Sequence, residues 1–405
     1  MQTHLSQALL NTADGREAES ILRACVHCGF CNATCPTYQL LGDELDGPRG
    51  RIYQIKQMLE GEPAGPQTRL HLDRCLQCRA CETTCPSGVH YARLAEIGRA
   101  AIELQQPRGW RAALFRWGLR RVLPYTGRFA ALLWLGRMAE PFIPRRIRPT
   151  LPQVRPAGAW PRMRHDRTML LLDGCVQPAA TPLTNAATAR VFERLGIRLE
   201  RPSGQGCCGA VSYHLNAREE GLTHARRNID AWWPAIEAGA EALVITASGC
   251  GLQVKEYGEL LREDPAYAEK AARISALARD VAEVLTVEDL SSLPRGDGRR
   301  VAFHAPCTLQ HGQRQNGTVE GILRRLGYEL TPVADAHLCC GSAGTYSILQ
   351  PELSRQLRDG KLRALTAGEP EVIATANVGC QLHLQQGCNS HVRHWIELLD
   401  PAPPG

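Results

Sequence analysis

Two short stretches of this 405-residue chain each contain four cysteines at the same spacing. Residues 25–36 read CVHCGFCNATCP and residues 75–86 read CLQCRACETTCP, so the pattern C-x2-C-x2-C-x3-C-P occurs twice. Cysteines separated by two residues let a tight loop hold three thiolates around one face of a metal cluster. The proline turns the chain outward, so the fourth thiolate points toward a different cluster. The pattern therefore predicts two neighbouring metal sites that exchange one cysteine each.

The spacing is that of the bacterial ferredoxin loop, and it predicts two [4Fe-4S] clusters with crossed ligands. The expected ligands are Cys25, Cys28, Cys31 and Cys85 for cluster 1, and Cys75, Cys78, Cys81 and Cys35 for cluster 2. Zinc is the alternative, because paired C-x2-C motifs also form tetrahedral zinc sites. The third C-x2-C step and the Cys-Pro ending, duplicated together, favour iron and sulfide.

The remaining nine cysteines lie beyond residue 174, and eight of them form a second repeat. Each copy has a single cysteine and, 32 residues later, an adjacent cysteine pair that is directly followed by glycine. A further cysteine lies downstream. The first copy has Cys175, Cys207, Cys208 and Cys250, and the second has Cys307, Cys339, Cys340 and Cys380. We predict one metal site per copy, since adjacent thiolates before a glycine reach one metal from a sharp turn. A disulfide within the pair is the alternative, and it requires a strained backbone and an oxidising setting.

Each copy is also predicted to alternate strands and helices. Apolar TMLLLDG and RVAFHAP indicate buried strands that run toward Cys175 and Cys307. AATARVFERLG and GTVEGILRRLG have helical periodicity and end at glycine, and the short strands IRLER and YELTP follow. The segments EALVITASGC and EVIATANVGC indicate a closing strand in each copy. In a parallel sheet the carboxyl ends of the strands meet at one edge, so the four cysteines of each copy are expected to converge.

Other residues near the second repeat are weaker candidates. Residues 204–209 read GQGCCG, which matches the G-x-G-x-x-G pattern and leaves NAD as an alternative, but the second copy lacks the two earlier glycines. Cys388 has no counterpart in the first copy, and we expect a buried thiol there, not a ligand. We expect supporting or loop positions, not ligand positions, for His304, His337 and His383.

The segment between the two repeats is basic and aromatic. Residues 108–148 contain ten arginines, one acid, three tryptophans and three phenylalanines. Arginine interrupts every apolar run, so no stretch reaches the ~20 apolar residues of a membrane span. The composition is typical of a helix at a membrane or partner surface, and a solvated linker is the alternative. We expect no nucleic-acid partner, because no recognised nucleic-acid module accompanies the arginines.

These patterns predict a multidomain α+β protein. We expect a helical ferredoxin-like domain with two [4Fe-4S] clusters over residues 1–105, then a basic aromatic helical linker over residues 106–160. Two repeated α/β units are expected over residues 161–290 and 291–405. The N-terminus lacks a basic region followed by an apolar run, so we expect a cytoplasmic chain with peripheral attachment to the inner face of the membrane as an option.

The second repeat resembles a known family. C-x31-CCG with a downstream cysteine, in tandem, is similar to the cysteine-rich CCG domain of heterodisulfide reductase and its relatives, so we name the copies the first and second CCG units. The heterodisulfide reductase copies end in C-x2-C, whereas here Cys250 is followed by GLQ and then Val254, and Cys380 by QLH and then Leu384. The resemblance therefore implies one iron–sulfur cluster per CCG unit, or zinc in one of them, and argues against a disulfide-cleaving centre.

The whole order of motifs resembles the iron–sulfur subunits of bacterial glycolate oxidase (glycolate dehydrogenase). Segments such as CLQCRACETTCPSGV and ASGCGLQVKEYG favour that family over the corresponding subunit of anaerobic glycerol-3-phosphate dehydrogenase and over lactate-utilisation proteins. The resemblance implies an electron-transfer subunit with no catalytic residues of its own. FAD-containing partner subunits would oxidise glycolate to glyoxylate, because a flavin couples two-electron chemistry to one-electron carriers. This chain would pass the electrons toward a quinone or another acceptor. The rival functions are a heterodisulfide-reductase-type enzyme and a zinc-containing scaffold.

Overall fold

The N-terminal region is built from short helices around the two cysteine loops. The computed structural model describes residues 1–142, 151–152 and 154–400, so residues 143–148 of the predicted basic segment fall outside the described part. The helices are α1 (Gln7–Leu10), α2 (Ala13–Ala24), α3 (Pro36–Leu41), α4 (Pro48–Leu59), α5 (Pro66–Asp73), α6 (Ala80–Thr84) and α7 (Tyr91–Gln105). The predicted helix between the two loops is α4, and its Ile52 and Ile55 pack in the same core as Leu94 of α7.

A buried carboxylate joins these helices behind the second cysteine loop. Asp46 is fully buried, and its carboxylate accepts hydrogen bonds from Arg51 at 3.3 Å, His71 at 3.0 Å and Arg74 at 2.7 Å. Its carbonyl accepts a further bond from the Thr37 hydroxyl at 2.8 Å. Removing one partner of such a buried ion pair leaves the other charge uncompensated, so this network fixes how α4 and α5 pack.

Two helices without buried residues follow this region, and we name them the arm. They are α8 (Trp110–Val122) and α9 (Thr126–Ala139). Arg120 of α8 forms an ion pair with Glu220 at 2.7 Å, which connects the arm to the first CCG unit. Among the described residues, no helix combines the length and the apolar composition that crossing a membrane requires.

Each CCG unit contains a four-stranded parallel sheet. The strands are β1 (Arg167–Leu171), β2 (Ile197–Glu200), β3 (Leu243–Ile245) and β4 (Ala278–Asp280) in the first unit, and β5 (Arg300–His304), β6 (Glu329–Leu330), β7 (Val372–Thr375) and β8 (Val392–His394) in the second. The strand orders are β2-β1-β3-β4 and β6-β5-β7-β8, so both units have the same topology. The predicted strands are confirmed, but β3 and β7 do not close the units. Strands β4 and β8 were missed because their sequences, ARD and VRH, are short and of mixed polarity, whereas β3 lies within a longer apolar run.

Helices cover the sheets. They are α10 (Gln177–Ala180), α11 (Pro182–Arg194), α12 (Ala210–His214), α13 (Arg218–Glu237), α14 (Ser248–Lys255), α15 (Tyr257–Leu260), α16 (Ala268–Leu277), α17 (Val281–Val287), α18 (Thr318–Arg325), α19 (Tyr346–Leu349), α20 (Pro351–Thr366) and α21 (Val378–Gln385). The predicted crossover helices are α11 and α18. The domain boundaries expected at residues 105, 160 and 290 remain predictions.

The two sheets share one apolar core. Leu171 and Val244 of the first sheet belong to the same buried cluster as Phe303 and Ala374 of the second. Two hydrogen bonds connect the segment after β3 to the second sheet. The N–H of Ser248 donates to the carbonyl of Ala376, directly after β7, at 3.1 Å, and His394 at the end of β8 donates to the carbonyl of Thr246 at 2.8 Å. These contacts hold the cysteine-bearing edges of the two sheets in a fixed relation.

The Asp46 network gives a stability prediction. Asp46→Asn removes the negative charge opposite the buried Arg51, and we expect the free energy of unfolding to fall by about 3–5 kcal/mol. Urea unfolding of the anaerobic protein, followed by circular dichroism, measures this. The matched control is Asp289→Asn in the first CCG unit, since exposed Asp289 caps the N–H of Ser291 and asparagine caps equally well. Equal unfolding midpoints for the two variants would contradict the role given to Asp46.

Candidate metal centres

The eight N-terminal cysteines line two neighbouring cavities. The first cavity is lined by Cys25, Cys28, Cys31 and Cys85, and the second by Cys35, Cys75, Cys78 and Cys81, which also reaches the first. The fourth cysteine of each motif thus lies with the first three of the other motif. The structure brings together the two sets that the crossed-ligand prediction names, and the ligand roles themselves remain predictions.

Backbone conformations explain how each loop surrounds a cavity. His27, Gly29, Gln77 and Arg79 have positive φ angles of 60°, 87°, 52° and 63°. A positive φ reverses the chain direction within a few residues, so consecutive cysteines of one loop face one cavity. Pro36 then occupies the first turn of α3, directly after Cys35. The proline therefore turns Cys35 away from its own loop, as predicted.

The second cavity is buried beside positive charge. Burial opposes ionisation of Cys75, but the charges of Arg51 and Arg99 outweigh it and lower the pKa of this thiol. The N–H of Gln77 and the hydroxyl of Tyr91 donate to its sulfur at 3.4 and 3.5 Å. In the first cavity, burial raises the pKa of Cys31 to about 11. The two cavities thus differ in electrostatic environment, which is one of the factors that set a cluster's reduction potential.

The two cavities also differ in their access to solvent. Cys28 is exposed, and its neighbours Val26 and Phe30 are 69% and 62% exposed. The second cavity instead faces the second CCG unit, where the side chains of Leu76 and Cys78 pack with a cluster that includes Cys307 and Cys339. The first cavity therefore lies at the surface, and the second lies at an interface within the chain.

The cysteines of the first CCG unit converge at the carboxyl edge of its sheet. The thiols of Cys175 and Cys207 interact, and this interaction lowers the pKa of Cys207 and raises that of Cys175. Cys208 interacts with both Cys207 and Cys250, and both interactions raise the pKa of the Cys208 thiol, the one with Cys207 more strongly. Cys250 lies in the first turn of α14, directly after β3. Four thiols from three segments meet at one place, as the sequence predicts.

The second CCG unit repeats this arrangement and adds a histidine. The sulfurs of Cys307 and Cys339 are 3.8 Å apart, and Cys340 contacts Cys380 in the first turn of α21. A ring nitrogen of His304 and the sulfurs of Cys340 and Cys380 all lie within 4.8 Å of one another. Burial lowers the pKa of His304 well below its usual value, so the ring is neutral near pH 7. We expected a supporting or loop position for His304, and the structure places its ring beside Cys340 and Cys380.

The glycine after each cysteine pair has a steric role. Gly209 and Gly341 have φ angles of +92° and +88°. A Cβ atom at these positions would lie 2.5 Å from the carbonyl oxygen of Gly221 and 2.6 Å from that of Ser354. The N–H of each glycine donates to a sulfur at 3.4 Å, that of Cys207 or Cys339. Only glycine fits this turn, which holds both thiols of the pair toward the site.

Apart from His304, the weaker candidates of the sequence are not assembled into a site in the part of the chain that the structure describes. The N–H of Gly206 donates to Asn228 and that of Gly209 to a cysteine sulfur, so the GQGCCG loop does not present them to a phosphate. Cys388 is half-buried and donates to the carbonyl of Leu384 at 3.5 Å. His383 is turned to the Ser354 hydroxyl at 3.1 Å. A further cavity, lined among others by Arg155, Gln381 and Glu397, contains none of the predicted ligands.

Comparisons with known proteins agree with this architecture. The cysteine-rich domain family (CCG) matches residues 169–255 and 301–385, and the 4Fe-4S dicluster domain family matches residues 21–89. The predicted order of a helical dicluster domain followed by two CCG units is confirmed.

Full-length relatives are also known. The chain is 57% identical, over 404 residues and 99% of each chain, to the glycolate oxidase iron-sulfur subunit of Escherichia coli strain K12. It is 30% identical over 419 residues to the probable glycolate oxidase iron-sulfur subunit of Bacillus subtilis strain 168, with 92% of this chain and 90% of the relative covered. Lactate utilization protein A of Bacillus licheniformis is 30% identical over 206 residues, which cover 49% of this chain and 82% of the relative.

The CCG turns generate a testable prediction. Gly341→Ala forces a Cβ against the Ser354 carbonyl. We therefore expect the second CCG unit to lose its metal while the other three sites retain metal. Iron, zinc and acid-labile sulfide analysis of anaerobically purified protein measures this. Gly321→Ala in α18 is the control, because its Cβ would meet open space. An unchanged metal content in Gly341→Ala would exclude the steric role.

Proposed function

The chain belongs to the family of glycolate oxidase iron-sulfur subunits, and on this basis we propose that it carries electrons away from a flavin-dependent oxidation of glycolate to glyoxylate. The observation that carries the proposal is the 57% identity over 99% of the chain to the Escherichia coli subunit. The convergence of sixteen cysteines into four sites supports the same function, because clusters held by cysteine thiolates transfer single electrons.

We assign the ligands by site. The two N-terminal cavities are assigned one [4Fe-4S] cluster each, with the crossed cysteine sets described above. Each CCG unit is assigned one further iron–sulfur centre on its four cysteines. The thiols at these sites fit the assignment, since neighbouring buried cysteines ionise together only where positive charge, such as that of a bound metal, compensates them.

The arrangement of the sites supports a route for the electrons. The first cavity has the exposed Cys28 and the apolar side chains of Val26 and Phe30 around it, which fits a docking surface for a redox partner. The second cavity borders the second CCG site, where Cys78 lies near enough to Cys307 and Cys339 to interact with them electrostatically. We therefore propose that the first cavity is the surface end of the route and that the second CCG site is an inner station.

Partner subunits complete this function. Removal of a hydride from a 2-hydroxy acid involves two electrons, and a flavin is the cofactor that divides them into single transfers. We propose FAD-containing dehydrogenase subunits in a hetero-oligomer with this chain, and a quinone as the acceptor.

The arm is proposed to attach the protein peripherally to the inner face of the cytoplasmic membrane. Trp110, Leu114, Trp134 and Met138 are 55–70% exposed along its two helices. The guanidinium of Arg111 lies 5.3 Å from the ring of Trp110, so apolar and cationic groups occur on the same surface. Such a surface combines insertion of aromatic side chains with attraction to anionic headgroups.

The substrate assignment is tested on the complex purified anaerobically with its partner subunits. We expect glycolate to bleach the visible absorption of the iron–sulfur centres in this chain, while lactate and glycerol 3-phosphate do so more slowly. Stopped-flow absorption measures the three rates. Faster bleaching by glycerol 3-phosphate or lactate than by glycolate would reassign the chain within the wider group of CCG-containing subunits.

The arm generates a prediction of its own. Replacement of Arg111 and Arg121 by glutamine removes about 1 kcal/mol of headgroup attraction each, so we expect roughly 30-fold weaker binding to vesicles that contain anionic lipid. Vesicle co-sedimentation of the purified complex measures the effect. The matched control replaces the exposed Arg279 and Arg295, which lie outside the arm. Equal binding by both double variants would mean that the arm does not contact the membrane.

A further inference from the structure

His304 is buried in the second CCG unit without a hydrogen-bond partner. The residue is 2% exposed, and neither ring nitrogen has a partner among the described residues. His394, which is equally buried, uses both nitrogens, since Nε2 donates to Thr246 at 2.8 Å and Nδ1 accepts from the N–H of Ile396 at 3.3 Å. An unpaired buried polar group costs about 1–3 kcal/mol, so the His304 ring requires a partner that the polypeptide does not supply.

The surroundings of the ring indicate what this partner is. The ligand atoms of His304, Cys340 and Cys380 all lie within 4.8 Å of one another. Imidazole nitrogen and thiolate sulfur are both ligands of iron and zinc, and a ligand to either metal satisfies one ring nitrogen. His304 is the last residue of β5, so a rigid strand fixes the ring at the edge where the cysteines converge.

The first CCG unit has no equivalent group. Three residues before the single cysteine, the second unit has His304 and the first has Leu172. Leu172 is 1% exposed and packs in the same apolar cluster as Cys208. The two units therefore share four cysteines and the sheet topology, and they differ at the one position that faces the thiols from the end of the first strand.

We propose that His304 is a direct ligand of an iron in the second CCG centre, which thereby has mixed nitrogen and sulfur ligands, whereas the first centre has sulfur ligands only. This inference rests on the proposed function, in which both centres are iron–sulfur centres. A neutral imidazole adds no negative charge to the centre, and histidine ligands raise the reduction potential of iron–sulfur clusters. The second CCG centre is therefore the more easily reduced of the two, and it is the one that borders the second N-terminal cavity.

The test detects the nitrogen itself. The full chain is produced with its partner subunits and with ¹⁵N-labelled histidine, purified anaerobically and reduced with dithionite, and pulsed EPR records the coupling between histidine nitrogen and the paramagnetic centres. We expect this coupling in the wild type and its loss in His304→Leu, which installs the side chain of the first unit. In a redox titration, His304→Cys, which replaces the neutral ring with a thiolate, should shift the midpoint of one centre to a more negative potential and leave the others unchanged.

Two further variants separate ligation from folding. His304→Cys supplies a thiolate in place of the imidazole, so we expect wild-type iron and sulfide content without the nitrogen coupling. His337→Gln changes a nearby histidine that contributes its backbone carbonyl to His311, and the coupling should persist there.

The outcomes distinguish this inference from the proposed function. If the wild-type protein contains iron but shows no histidine coupling, or if the coupling survives in His304→Leu, the ligand role of His304 alone is overturned. Loss of zinc instead of iron from His304→Leu would overturn the assignment of iron to this centre. A chain without iron at any site would overturn the proposed function and this inference together.

Discussion

The structure depends on one electrostatic constraint, the gathering of sixteen thiols into four buried or half-buried sites. Burial raises the pKa of Cys78 and Cys81 well above the usual value, and the neighbouring thiols raise it further. Such groups cannot ionise together unless positive charge compensates them. In the proposed assignment, bound metal would supply that charge at each site. At the second cavity the protein adds its own contribution, since Arg51 and Arg99 lower the pKa of Cys75 despite its complete burial.

That constraint explains why the scaffold is rigid where the thiols meet. In the N-terminal region, Asp46 compensates Arg51, so the guanidinium can stay buried beside the second cavity without leaving an unpaired charge. In the CCG units a parallel sheet positions the thiols, because its strands end together and its loops begin at the same edge. Gly209 and Gly341 then allow the turn that directs two adjacent thiols inward. Each solution fixes the position of sulfur atoms through backbone geometry.

Much of this was predictable because the decisive signals are local in sequence. The C-x2-C spacing, the proline after Cys35 and the 32-residue gap within each CCG unit were sufficient to predict which cysteines converge. Strands β4 and β8 were not predictable, because three residues of mixed polarity carry no periodic signal. The inward orientation of His304 was also missed, since a single histidine after an apolar strand is compatible with several environments. The packing of Cys78 against Cys307 joins residues far apart in the chain, and no local pattern encodes it.

The duplication of the CCG unit did not produce two equivalent sites, and the differences lie where the units contact the rest of the chain. Toward the second unit, Cys78 of the second cavity approaches Cys307 and Cys339, and Tyr346 donates to the carbonyl of Arg74 at 3.1 Å. The first unit contacts the N-terminal region through ion pairs such as that of Arg79 with Glu256 at 2.5 Å, and it also meets the arm, where the ring of Tyr125 lies 5.7 Å from that of His224. In the proposed route, the proximity of Cys78 to Cys307 and Cys339 connects the second unit to the N-terminal cavities. The duplicated fold therefore provides one site that borders the second N-terminal cavity and a second site whose unit also meets the arm, and these different neighbours give the two sites different surroundings.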